Sequence, residues 1–129
     1  MTQYSAFAAL LFTLMAAFVG AFQVALVLGA PWGELTLGGR WRGSLPPRIR
    51  LIPLLSLMLL AGFGAIVMAR AGLALPSLQG HSQALVWLVV AYCWVGVIVN
   101  FITPSRAERR LWFPVVLCMG VLSSLVALS

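Results

Sequence analysis

Few side chains in this sequence can do chemistry. It holds two carboxylates, Glu34 and Glu108, one imidazole, His81, two thiols, Cys93 and Cys118, and eight arginines, with neither lysine nor aspartate. Two carboxylates can act as an acid–base pair. Both glutamates have arginines close by in sequence, however, and read as surface ion-pair partners, each pair worth about 0–1 kcal/mol. The absence of lysine excludes a Walker A loop and a Schiff base. A structural zinc site needs four clustered ligands. His81 stands apart from both thiols and both glutamates, so neither a metal nor a cofactor is expected. Cys93 and Cys118 lack the C-x-x-C spacing of a redox pair. Their depths agree within about 3 Å at 1.5 Å per residue, so they can touch. Their default role is that of small buried hydrophobes.

The amides are the other candidates. Gln23 and Asn100 are the only strongly polar side chains inside long apolar runs. Polar groups at such positions are functional candidates. Either each amide caps or bridges helices, or the two line a polar pocket between helices. The indole N–H of Trp94, near the middle of its run, also needs a partner.

Those runs are what must position everything else. The 129 residues are 63 % hydrophobic and 8 % charged, with a mean hydropathy of +1.09. A soluble domain is about 45–50 % apolar and about 25 % charged. A bilayer core needs about 20 apolar residues per helix. Four stretches qualify, 5–28, 51–69, 84–102 and 111–128, and none carries a charge. Hydrocarbon leaves no partner for backbone amides, so each stretch must be a helix. The expected fold is all-α, a single four-helix transmembrane bundle over 1–129. Pro53 and Pro114 fall in the first turns of their expected helices, where a missing N–H costs little. The first run is longer than the apolar core of a signal peptide and has no basic residue before it, so it reads as a retained helix.

The net charge of +6 then has a topological meaning rather than a nucleic-acid one. Seven of the eight arginines lie in the connections 29–50 and 103–110, which four spans place on one side. The positive-inside rule makes that side cytoplasmic and puts both chain ends outside. Trp32, Trp41 and Trp112 then mark the inner interface, and Tyr4 and Trp87 the outer one.

The connection 29–50 is long for a helix–helix link. Glu34-Leu35-Thr36-Leu37, Gly38-Gly39 and Arg40-Trp41-Arg42 read as a short β-hairpin with a glycine turn. Leu35 and Leu37 would share a face with Arg40 and Arg42, whose stems lie along it while their heads reach lipid phosphates. The arginines either serve topology alone or also bind anionic headgroups, each charge being worth about 1 kcal/mol near the surface. The candidate ligand- or lipid-binding residues are Trp32, Glu34, Arg40, Trp41 and Arg42 in the first connection and Arg106, Glu108 and Arg109 in the third. Gln23 and Asn100 complete the set.

Small residues recur every fourth position as Ala9, Thr13, Ala17, Ala21, Ala25 and Gly29, and again as Ala61, Ala65 and Ala69. Gly120 and Ser124 mark the fourth run. Such ribbons let helices approach closely, either within the bundle or across a homo-oligomer face. Phe7, Phe18 and Phe22 lie off the first ribbon and are expected to face lipid. The two halves also echo each other: Pro31, Glu34 and Arg50-Leu51-Ile52-Pro53 against Pro104, Glu108 and Arg110-Leu111-Trp112-Phe113-Pro114. The echo is that of parallel-repeat hairpins, or of the stop, arginine and entry proline that any two hairpins need.

Three motifs carry a resemblance: Gly29-Ala30-Pro31-Trp32-Gly33, Gly38-Gly39-x-Trp41, and Asn100-x-x-Thr103-Pro104-Ser105-x-x-Glu108-Arg109. Together they resemble signatures of short, uncharacterised bacterial multi-pass membrane proteins, over nearly the whole chain. The resemblance implies a bacterial inner-membrane protein and attaches no activity. The leading expectation is a non-enzymatic protein that binds a lipid headgroup, small amphiphile or protein partner at its inner face. A small oligomeric transporter is the alternative, although no charge within a span is available for proton coupling. A membrane enzyme acting on a lipid-like substrate through Glu34 or Glu108 ranks third, for want of a nucleophile–base pair. The topology is testable: reporters fused to either chain end should be active only on the non-cytoplasmic side, and a cytosolic signal from either end would refute it.

Overall fold

The structure, a computed structural model, describes residues 3–129. Four helices follow one another: α1 (Gln3–Val27), α2 (Leu51–Arg70), α3 (Pro76–Ile102) and α4 (Arg106–Leu128). Each is long and apolar enough to cross a membrane. Only 17–33 % of each apolar window is buried within the bundle. Side chains such as Leu14, Met58, Leu88 and Ile98 stay exposed, a surface that water would not tolerate and lipid does. The chain is a four-helix, multi-pass membrane protein.

Each helix packs on its neighbour in sequence, and α1 closes the ring on α4. The core is not central along the bundle axis. Its buried side chains include Phe12 of α1, Val67 of α2, Val86 and Val89 of α3, and Val126 of α4. All lie toward the end opposite the long connection. That end is also tied by polar contacts. The Arg70 guanidinium donates to the Ser129 carbonyl at 2.8 Å, and the Ser5 and Ser129 hydroxyls lie 3.0 Å apart.

Two helices begin earlier than their apolar runs. α3 starts at Pro76, so its first turns are polar and carry His81. α4 starts at Arg106, with Ser105 as N-cap. Pro114 therefore lies inside α4 rather than in its first turn, and its ring removes the hydrogen bond that the Arg110 carbonyl would otherwise receive.

The expected β-hairpin is absent. Residues 33–39 form two 3-10 turns, Gly33–Leu35 and Leu37–Gly39, and no strand occurs among the described residues. Glycine does supply the turn, with φ of +71° at Gly38 and +73° at Gly39. The ladder groups are spent elsewhere: the carbonyls of Glu34 and Leu35 and the N–H of Gly38 bond to side chains of α4 and its N-cap. The Leu35–Arg40 face of a hairpin is lost with it. The Arg40 guanidinium lies instead over the Trp41 ring, 5.0 Å from its centroid.

The small-residue ribbon of α1 divides. Ala9 is buried, whereas Ala17 and Ala21, with Ala61 and Ala65 of α2, line a surface groove of about 520 Å³. Between α3 and α4 the close approach occurs at Gly120, where an added Cβ would sit 3.2 Å from the Trp94 ring. The Trp94 indole donates to the Ser124 hydroxyl at 3.0 Å. Cys93 is buried and Cys118 exposed, and both thiols are free. Replacing Ser124 by Ala should destabilise the purified protein in detergent by about 0.6–1.7 kcal/mol, the range of interhelical hydrogen bonds in membranes. Thermal unfolding of Ser124→Ala beside Trp94→Phe and the double variant will show whether the two costs are coupled.

Candidate functional site

The connection 29–50 is held down by the start of α4. Its chemistry begins with Ser105, whose hydroxyl accepts the Glu108 N–H at 3.1 Å and caps the helix. Ser105-x-x-Glu108 is the spacing of a capping box, in which the glutamate would reach back to the N-cap amide. Here the Thr103 hydroxyl takes that amide, 3.3 Å from the Ser105 nitrogen. The Glu108 carboxylate is thereby released to reach across to the connection and accept the Gly38 N–H at 2.8 Å. It also receives the Thr103 hydroxyl.

Two further bonds complete the hold. The Ser105 hydroxyl donates to the Glu34 carbonyl at 2.8 Å, and the Trp112 indole N–H donates to the Leu35 carbonyl at 2.7 Å. Phe22 packs edge-on against Trp112, with centroids 4.7 Å apart, and stacks with Trp32 at 5.9 Å. Trp112 is 6 % exposed, so it is a buried clamp rather than an interface residue. Phe22, expected to face lipid, is half-buried in this aromatic cluster. Gly33 is required because a Cβ there would run into the Trp41 and Gly43 carbonyl oxygens, and its own N–H donates to Gly43 at 2.8 Å.

Beneath this roof lies a cavity of about 630 Å³, well within the ~300–1,000 Å³ typical of ligand sites. Leu35, Thr36, Leu37 and Gly38 close its top, and all four helices supply its walls. Gln23, Asn100, Thr103 and Glu108 gather near the connection, Ser56 lies on the α2 wall, and Phe63, Tyr92, Cys93 and Met119 line the deeper part. From Glu108 to Met119 the α4 wall runs about 16 Å at 1.5 Å per residue, roughly half the ~30 Å hydrocarbon core. The side toward α2 and α3 is open: Leu59 of α2 and Val95, Val99 and Ile102 of α3 line the cavity and remain exposed.

The ten sequence-predicted residues thus separate into groups. Gln23, Asn100 and Glu108 line the cavity. Asn100 donates to the Gly96 carbonyl of its own helix at 2.7 Å, which leaves its side-chain oxygen out of that bond. Glu108 is 6 % exposed and bonds to Gly38, so the expected surface ion pair is not what it makes. Glu34 is exposed, and its carbonyl rather than its carboxylate is engaged by Ser105. Arg40, Arg42 and Arg106 are exposed on the rim, with Trp41 under Arg40 and Trp32 on Phe22. Arg109 is also exposed and donates to the Thr103 carbonyl at 3.0 Å. None of the rim residues lines the cavity. Thr103, Ser105 and Trp112 were missed as site residues. The capping-box spacing was a legible signal for Ser105, while nothing in the sequence distinguishes Trp112 from an interface tryptophan.

Comparison with family models, curated proteins and solved structures finds no match to this chain. Among the described residues no three His, Cys, Asp or Glu side chains come together to hold a metal ion. The arrangement offers a roofed, side-open apolar volume with a hydrogen-bonding end.

The clamp predicts a local effect. Ser105→Ala removes the α4 N-cap and the bond to Glu34, at a cost of about 0.5–2 kcal/mol. Hydrogen exchange should accelerate at residues 33–39 and the first turn of α4 while the helix interiors stay protected. Uniform acceleration through all four helices, or none at residues 33–39, would contradict the clamp.

Proposed function

We propose that this protein is a non-enzymatic binder of a membrane amphiphile. The tail would occupy the apolar depth of the cavity and the head would meet the polar end beneath the connection. The observation that carries the reading is the combination of the side opening between α2 and α3 with a carboxylate and two amides gathered at the connection end of a largely apolar cavity. A water-soluble ligand would need neither feature. An amphiphile needs both, because it travels within one leaflet with its head at the interface. The cavity depth, about half a hydrocarbon core, agrees with a tail drawn from a single leaflet.

The arginine distribution supports a cytoplasmic position for the connection end in a bacterial inner membrane. There the exposed Arg40, Arg42, Arg106 and Arg109 would rest against anionic headgroups of the surrounding bilayer and hold the roof at the surface.

Gly96 gives a direct test. It lines the cavity, and a Cβ added there meets nothing within 4 Å. Gly96→Trp should therefore fill the cavity without disturbing the helix packing. Gly62, which is exposed and lines neither this cavity nor the α1–α2 groove, is the matched control. Native mass spectrometry of gently solubilised protein should show a retained amphiphile mass on the unaltered chain and on Gly62→Trp, and its loss from Gly96→Trp. Equal retention by Gly96→Trp, or no retention by any form, would overturn the proposal.

A further inference from the structure

We infer that the head bound at the polar end is cationic, a protonated amine rather than a phosphate or carboxylate. This rests on the amphiphile-binding reading above and assigns the chemistry of the same cavity.

The argument starts from the charge inventory. Eight arginines make this chain strongly basic, yet no arginine is among the residues lining the cavity. Among the described residues Glu108 is the one charged side chain in its wall, and it is 6 % exposed. Arg109, the next residue along the chain, is turned to the Thr103 carbonyl at 3.0 Å, and Arg50 is turned to the Leu45 carbonyl at 2.9 Å. These two guanidinium groups are thus committed to backbone acceptors, and that of Arg40 lies over the Trp41 ring. A buried carboxylate is costly unless donors and an opposite charge compensate it. The Gly38 N–H and the Thr103 hydroxyl supply donors. A cationic head in the cavity would supply the opposite charge.

The neighbouring polar groups fit the same occupant. Asn100 commits one of its two amide N–H groups to Gly96 and keeps its side-chain oxygen out of that bond, and the Thr103 hydroxyl oxygen, which accepts the Ser105 N–H, keeps a second lone pair. An ammonium carries three N–H donors and no acceptor, so it can meet the Glu108 carboxylate and these oxygens together. A phosphate or carboxylate head would bring a like charge to Glu108 at low local dielectric. Such anionic heads find their counter-charges outside, on the rim arginines.

Glu108→Gln is an informative variant because its amide oxygen still accepts the Gly38 N–H while the charge is removed. The probes are dodecylamine, 1-dodecanol and dodecanoate, which share a tail length and differ in head. Each is presented at equal concentration to the full chain in neutral detergent at neutral pH, and occupancy is read by native mass spectrometry. Dodecylamine should show the highest occupancy, and Glu108→Gln should weaken it by about tenfold or more, as expected for loss of a charge-assisted hydrogen bond. Binding of the alcohol should be little changed. Asn100→Asp, which adds a second carboxylate to the same wall, should raise amine occupancy relative to alcohol. Alcohol or dodecanoate bound as well as amine on the unaltered chain, or amine binding indifferent to Glu108→Gln, overturns the charge assignment. If that indifferent binding is still abolished by Gly96→Trp, the cavity reading survives alone. If no probe binds the unaltered chain, or all three persist in Gly96→Trp, both readings fall together.

Discussion

The hold of α4 on the long connection is the interaction on which the rest depends. Its first turns supply the Ser105 cap, the Glu108 carboxylate and the Trp112 indole, which together engage three consecutive features of the connection: the Glu34 carbonyl, the Leu35 carbonyl and the Gly38 amide. Each bond satisfies a backbone group that would otherwise lie poorly solvated near the membrane surface. Without them residues 33–39 would have no reason to lie across the bundle, and the space below would be an open cleft. The hold also explains the economy of local structure here. Short 3-10 turns suffice where side chains from another element complete the hydrogen bonding that a hairpin would have completed internally.

The same contacts divide the polar residues of this end into two populations. Glu108, Thr103, Asn100 and Gln23 face the cavity, and the arginines line its rim. Charge segregation of this kind follows from hydration. Guanidinium groups on long stems reach water readily, whereas a carboxylate in the first turn of a helix, on a short stem and under a roof, cannot. Among the described residues, a strongly basic protein thus presents a single charged side chain to its cavity, and that one is acidic.

Much of the architecture was legible from composition and spacing. The four spans follow from the need to pair every amide within its own segment, which makes apolar length a nearly sufficient signal. The level at which Gln23 and Asn100 lie also followed from their distance to the helix ends. What escaped was decided by tertiary partners. Leu35 and Leu37 alternate as a strand would, but the α4 side chains outcompete a second strand. Phe22 is spaced to face lipid, yet Trp112 and Trp32 draw it into an aromatic cluster. Glu108 sits beside arginines in sequence, and only the fold reveals that Gly38 and Thr103 are its partners. Pro114 was placed by the start of the apolar run, whereas the helix begins with the charged turn that Ser105 caps.

The lopsided core has a mechanical consequence. Close packing of Phe12, Val67, Val86, Val89 and Val126 makes the end remote from the connection nearly incompressible. The other end encloses empty volume beneath its roof and the Phe22–Trp112 cluster. Such a molecule resembles a clothes-peg, whose spring stays shut while its jaws part. Lateral pressure in the surrounding lipid would therefore act on the jaws almost alone, and a change in bilayer tension would widen or narrow one mouth while leaving the pivot where it is.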